Sequence, residues 1–306
     1  MLSELAAIYA GNTGLFAGSV FVLGLVVGSF LNVVIYRVPR MLEHGWRAQA
    51  EEILREGDAA TPRTEAAAAP KFNLWTPRSA CPACRTPIKA RHNLPVLGWL
   101  VLRGRCAACG ARISVRYPVV ELATGWASAM VAAHFGFGVP AAGGLVVTWM
   151  LIALTGIDID HQLLPDGITL PLLWAGLAAA ALWGSGPAGL PVTPREAILG
   201  ALAGYLSLWL VYHAHRLLTG KEGMGYGDFK LFAALGAWLG WRMLPLIIVL
   251  AAAAGAVLGI AMIVFRGRDR AAPIPFGPYL SVAGWLAMLY GPAMIGEYLR
   301  VSGLGH

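Results

Sequence analysis

Apolar runs of roughly 18 to 22 residues recur along this chain, each long enough to cross ~30 Å of hydrocarbon as a helix. They lie near residues 14–36, 117–136, 140–157, 167–184, 196–218, 228–240, 243–265 and 277–298, with the sixth the shortest. A chain built this way must satisfy its backbone within each crossing segment, which leaves helices. The expected fold is an all-α polytopic membrane protein of about eight transmembrane helices. Composition agrees: only 13% of the residues are charged and 58% are hydrophobic, where a soluble domain carries about 25% charged residues.

The net charge of +7 therefore does not call for nucleic acid. In a membrane protein, basic residues first report orientation. Of the 23 Lys and Arg, 14 fall between Arg37 and Arg116. Threading eight spans puts Arg216, Lys221, Lys230, Arg266, Arg268 and Arg270 on that same side, and leaves Arg195, Arg242 and Arg300 opposite. The crowded side is expected to be cytoplasmic, with both termini facing away from it. The first span has no Lys or Arg before Arg37, so it reads as a retained helix rather than a removable signal. The expected organisation is a first helix over 1–36, a cytoplasmic domain over 37–116 and a seven-helix membrane domain over 117–306.

In the polar loop, "MLEHGWRAQAEEILREGD" fits an amphipathic helix with Met41, Leu42, Trp46, Ile53 and Leu54 as its apolar stripe. "AATPRTEAAAAP" reads as a linker. All four cysteines follow, as Cys81 and Cys84 in one CxxC and Cys106 and Cys109 in another. Each CxxC points two sulfurs at one point, and two such knuckles make a tetrahedral S4 cage suited to Zn2+. Four protein ligands close the shell, so the metal would be structural. Iron in the same cage is the alternative, and a reducing compartment argues against disulfides. Pro82 and Gly110 fit the knuckle turns, and His92 reads as a surface side chain.

Ionisable residues at span borders are functional candidates. "IDIDHQLLPD" carries Asp158, Asp160 and Asp166. Asp158 follows apolar Leu154 and Ile157 and should lie nearest the membrane. Asp160 should face water, and Asp166, after Pro165, could cap the next helix. "GMGYGDFK" places Asp228 on the same side. Gly223, Gly225 and Gly227 would allow close backbone approach and positive φ, letting Asp228 reach a facing helix end. The bland alternative is that Asp228 caps its own helix and pairs with Lys230. Two carboxylates brought together cannot both ionise easily and share a proton. One can then deprotonate a water while the other protonates the carbonyl or leaving group, which is aspartyl-type peptide hydrolysis.

"GSFLNVVIYRVP", "CPAC" with "CAAC", "RYPVVELATG", "IDIDHQLLPD", "GMGYGDFKL" and "IPFGPYL" occur together and in order. In this the chain resembles the bacterial type IV prepilin peptidases, the GxGD family of prepilin leader peptidases and N-methyltransferases, from about Gly28 to Tyr279. The resemblance implies a multi-pass enzyme of the bacterial inner membrane with periplasmic termini. It would cut the basic leader from type IV prepilins and type II secretion pseudopilins at the cytoplasmic face, after a glycine. It would then methylate the new N-terminus with S-adenosylmethionine. The family's catalytic pair carries over to Asp158 and Asp228; the distance to Pro165 favours Asp158 over Asp160. Its metal site carries over to Cys81, Cys84, Cys106 and Cys109.

Asp160, Asp166 and Glu222 are candidates for holding the basic leader. No soluble-type glycine fingerprint for S-adenosylmethionine is present. Ser29, Asn32, Arg37 and Glu121 are candidates for the cofactor or amine site, with a charged partner such as Arg37 or Arg116 expected for Glu121. Helix packing through Gly24 and Gly28 is the structural reading of the same stretch, and "PFGPYL" shapes the start of the last span. Two other classes fit parts of the pattern. A related intramembrane aspartyl protease would need only the paired acids and GxGD. A proton-coupled transporter would carry its acids near span midpoints, whereas here they lie at span ends.

Overall fold

The computed structural model describes residues 2–57, 72–184, 189–221, 223–266 and 274–303. Ten α-helices follow in order: α1 (Leu2–Gly11), α2 (Thr13–Gly57), α3 (Leu97–Val101), α4 (Arg116–Phe135), α5 (Val139–His161), α6 (Asp166–Trp183), α7 (Pro194–Thr219), α8 (Tyr226–Leu239), α9 (Leu244–Arg266) and α10 (Gly277–Val301). Among the described residues there is no strand, only two isolated bridges, Ala80 with Pro87 and Arg105 with Arg112.

Each expected span coincides with one of these helices. Six are long and apolar enough to cross a membrane, and the chain is a multi-pass membrane protein. The helices at 116–135 and 226–239 are not among the six. Polar Arg116, Glu121, Thr124 and Ser128 dilute α4. At 14 residues, α8 is about 21 Å long, short of the ~30 Å core. It tolerates this because protein surrounds it: Phe229, Leu231, Phe232, Ala234 and Leu235 are almost wholly buried.

A single helix, α2, runs 45 residues through Pro39 and takes in both the first expected span and the segment expected as an amphipathic helix. Proline removes one intrahelical hydrogen bond and usually kinks or ends a helix. Here Arg40 stacks on the Tyr36 ring across the proline, 3.4 Å from its centroid, a contact that favours continuation.

The chain divides into two compact units, one of residues 25–123 and one of 1–24 with 124–306. In the second, α5 to α10 bury a core that includes Leu154, Leu172, Phe229, Phe232 and Leu280. α7 lies against α8 where a Cβ on Gly200 would run into the Gly236 carbonyl, the small-residue contact that lets membrane helices approach closely. The Trp238 indole donates to the Leu172 carbonyl at 2.8 Å, tying α8 to α6. The Trp285 indole donates to Thr148 Oγ1 at 3.1 Å, tying α10 to α5. Both bonds satisfy polar atoms that would otherwise be costly to bury. Three helix ends are thereby brought together: the C-terminus of α5 and the N-termini of α8 and α10.

Candidate active site

Asp158 sits in the last turn of α5, on the buried face that also carries Leu151, Leu154 and Ile157. It is 5% exposed, while Asp160, two residues on, is exposed. The helix closes at Gln162, in the left-handed conformation, whose N–H returns to the Asp158 carbonyl. Asp228 lies in the first turn of α8 and is 7% exposed.

The two acids are linked through their neighbours. Asp158 Oδ2 accepts the backbone N–H of Gly277, the first residue of α10, at 3.1 Å. A Cβ on Gly277 would stand 2.6 Å from that oxygen and 3.1 Å from Leu164 Cδ2. Leu164 in turn packs on α8, where a Cβ on Gly227 would lie 2.7 Å from Leu164 Cβ. Gly227, Leu164, Gly277 and Asp158 thus form one contact chain. Asp228 Oδ1 is buried with no hydrogen-bond partner among the described residues. Leaving such an atom unpaired costs about 1–3 kcal/mol, more for a charged group, and buried orphans of this kind mark sites that bind or react.

The bland alternative for Asp228 and two sequence expectations change here. Lys230 does not pair with Asp228; its Nζ is bonded to both carboxylate oxygens of Asp166, at 2.6 and 2.7 Å. Asp166 does not cap α6, because the N-cap is Pro165 and makes no side-chain cap bond. Asp166 instead stands inside the first turn and faces Lys230 on α8. The glycines before Asp228 do not use positive φ; none of the three has it. Gly227 serves for close approach, and Gly223 faces the His215 ring. Glu222 lies outside the described residues.

Gly277 and Leu164 were not singled out by sequence. The string "PFGPYL" signalled a helix start and a place bordering the substrate, but nothing local says that its amide donates to a carboxylate 119 residues earlier.

In the unit of residues 25–123, the four cysteine sulfurs lie within 4.8 Å of one another. Cys81 and Cys109 Sγ are 3.8 Å apart, and Cys84 and Cys106 Sγ 4.0 Å. Tetrahedral zinc with bonds of about 2.3 Å requires sulfurs about 3.8 Å apart, so the donor set fits Zn2+. The knuckles repeat one another. The N–H groups of Arg85 and Gly110 return to the Cys81 and Cys106 carbonyls, and the N–H groups of Cys81 and Cys106 go to the carbonyls of Thr86 and Ala111. Both turns end on positive φ, 58° at Arg85 and 72° at Gly110. Hydrogen bonding with the Thr86 side chain and backbone holds the Cys84 thiol down to about 6, towards the thiolate that a metal needs.

The candidates for the cofactor site are all engaged by protein groups. Asn32 donates to the Tyr117 carbonyl at 3.1 Å. Arg37, 7% exposed, donates to the carbonyls of Asn73 and Pro77 at 2.8 and 2.6 Å. Glu121 accepts the Val96 N–H at 2.7 Å and bonds Ser29. Arg37 therefore serves the loop rather than Glu121.

Comparison with known proteins agrees with these features. Residues 22–135 match the bacterial peptidase A24 N-terminal domain, and residues 145–260 match the type IV leader peptidase family. Three relatives carry the name prepilin leader peptidase/N-methyltransferase. One from Stutzerimonas stutzeri is 50% identical over 295 residues, covering 96% of this chain and 98% of that one. One from Pseudomonas aeruginosa is 50% identical over 281 residues, 92% of each. One from Neisseria gonorrhoeae is 50% identical over 265 residues, 87% of each. No solved structure matches the chain.

Proposed function

The chain belongs to the type IV leader peptidase family as a membrane peptidase and N-methyltransferase, and from that premise we propose that Asp158 and Asp228 are its hydrolytic pair. The substrates are type IV prepilins and type II secretion pseudopilins, cut on the cytoplasmic face of the bacterial inner membrane, with both termini of the enzyme periplasmic. What supports the reading is that both carboxylates are buried at helix ends linked through Gly227, Leu164 and Gly277, and that Asp228 Oδ1 has no partner among the described residues.

The Gly277 N–H holds Oδ2 of Asp158. Asp228 presents an oxygen that no donor among the described residues occupies. A water between the acids can lose a proton to one carboxylate as it attacks the scissile carbonyl, while the other donates a proton to the departing amine. No covalent intermediate is needed. The prepilin's apolar helix lies in the bilayer, and its basic leader lies outside. Asp160, exposed two residues after Asp158, and Asp166, in the first turn of α6, are the described acids that would hold the leader's positive charge. Exchanging the charge of Asp160 and of the leader together should restore cleavage lost by either change alone; no compensation removes Asp160 from this role.

Cys81, Cys84, Cys106 and Cys109 hold a structural Zn2+. S-adenosylmethionine supplies the methyl group. Ser29, Asn32, Arg37 and Glu121, joined to one another's helices and to the loop by hydrogen bonds, are the candidates for the cofactor or amine site. The test is mass spectrometry of a prepilin incubated with the solubilised enzyme. Leader loss is expected with or without S-adenosylmethionine, and one added methyl only with it. An uncut prepilin overturns the reading.

A further inference from the structure

The segment from Phe72 to Val115 holds seven Lys and Arg and no Asp or Glu. It also exposes large apolar side chains: Trp75 at 78%, Leu94 at 53%, Leu97 at 59%, Leu100 at 56% and Val101 at 78%. In water such a patch would be an aggregation liability. Its depth argues for another setting.

Two contacts fix that depth. Trp75 stacks on Phe30 of α2, with centroids 5.8 Å apart and planes 27° apart. Phe30 lies seven residues before Arg37, about 10 Å further into the apolar run. The Val96 N–H, at the start of α3, is bonded to Glu121 of α4, five residues or about 7–8 Å past Arg116. The two levels agree, because Asn32 bonds Tyr117 and Ser29 bonds Glu121 in one antiparallel register. Both loop segments thus reach back alongside the spans, past the basic residues that end them.

The backbone is held there. Val96 has φ 60° and ψ −50°, and Leu97 N–H bonds the Pro95 carbonyl at 2.6 Å. This is the strained γ-turn, which a β-branched residue adopts only when its surroundings impose it; Glu121 is the group that holds it. Trp99 faces inward, donating to the Ile113 carbonyl at 3.2 Å. Leu94, Leu97, Leu100 and Val101 are then left on the outer side. Lys89, Arg91, Arg103 and Arg105, all exposed, flank them.

We propose that this metal-knuckle segment is a lipid-binding surface: Trp75 and the outer face of α3 insert into the interfacial layer of the bilayer, and the flanking bases bind anionic phospholipid headgroups. Tryptophan favours that layer, and basic clusters beside apolar anchors bind anionic leaflets.

The test uses the full chain in nanodiscs containing phosphatidylglycerol with a photoactivatable diazirine in its acyl chain. Adducts are mapped by peptide mass spectrometry. Labelling is expected at Trp75 and within 94–101 as well as in the spans. Labelled spans with a blank 72–103 would overturn the proposal, and span labelling makes this independent of whether the peptidase reading holds. With the probe on phosphatidylcholine and no anionic lipid, loop adducts should fall at least about threefold relative to span adducts; an unchanged ratio overturns the headgroup assignment. Loop adducts abolished by a prepilin-type apolar helix peptide, with span adducts kept, would make this a protein-docking face and overturn it as well.

Discussion

Leu164 and Gly277 do for the two acids what neither carboxylate can do alone. Leu164 fills the space between Gly227 and Gly277, and the Gly277 amide fixes one oxygen of Asp158. A methyl group at residue 277 would collide with that oxygen. Gly277→Ala should therefore lower leader cleavage on the order of 10²-fold, since a displacement of about 1 Å at a reacting group costs that much. Helicity by circular dichroism should be unchanged; cleavage at the wild-type rate would show that the contact does not matter. At this scale the sequence was partly legible. The spacing to Pro165 and the apolar residues before Asp158 separated it from Asp160, and the burial of one and exposure of the other agree. The partner of Lys230 was not legible. Asp228 is two positions away in sequence, but the side chain reaches Asp166 across 64 residues, and no local pattern reports a helix crossing.

Among the elements, the hydrophobic runs located the spans because the bilayer imposes length and composition on each helix separately. Such runs do not report where a helix ends. Charge marks where a helix leaves the membrane, but it does not stop the helix, and α2 continues to Gly57. The knuckles were legible because a CxxC spacing is a purely local constraint. Their pairing across the loop is expected to depend on metal. Purified protein should carry about one Zn2+ per chain. Cys81→Ser should lose that metal and the hydrogen-exchange protection of residues 80–113, because metal binding and folding are linked in such sites. A variant that keeps its protection without metal would contradict this.

For the whole molecule, the distribution of Lys and Arg predicts the topology. Reporter fusions after residue 57 and after residue 220 should report the cytoplasm. Fusions after residue 188 and at the C-terminus should report the periplasm. A periplasmic signal from the loop that carries the cysteines would reverse the orientation and put the acids on the wrong face for a cytoplasmic leader. Charge bias and span alternation are sums over many residues, so this prediction does not hang on local details such as a short α8 or an unbroken α2. The meeting of α5, α8 and α10 was not available in the same way, since it rests on packing contacts such as Gly200 with Gly236 and Trp238 with Leu172.

The most direct measurement compares leader cleavage by the wild type with that by Asp158→Asn, Asp228→Asn and Asp160→Asn, on one prepilin in detergent. Asn keeps the shape of each side chain and removes its capacity to exchange a proton. The first two variants should lose cleavage by at least about 10³-fold, given what acid–base groups contribute, while remaining folded. Asp160→Asn should still cut the substrate. Cleavage retained by either Asp158→Asn or Asp228→Asn would contradict the paired-carboxylate mechanism.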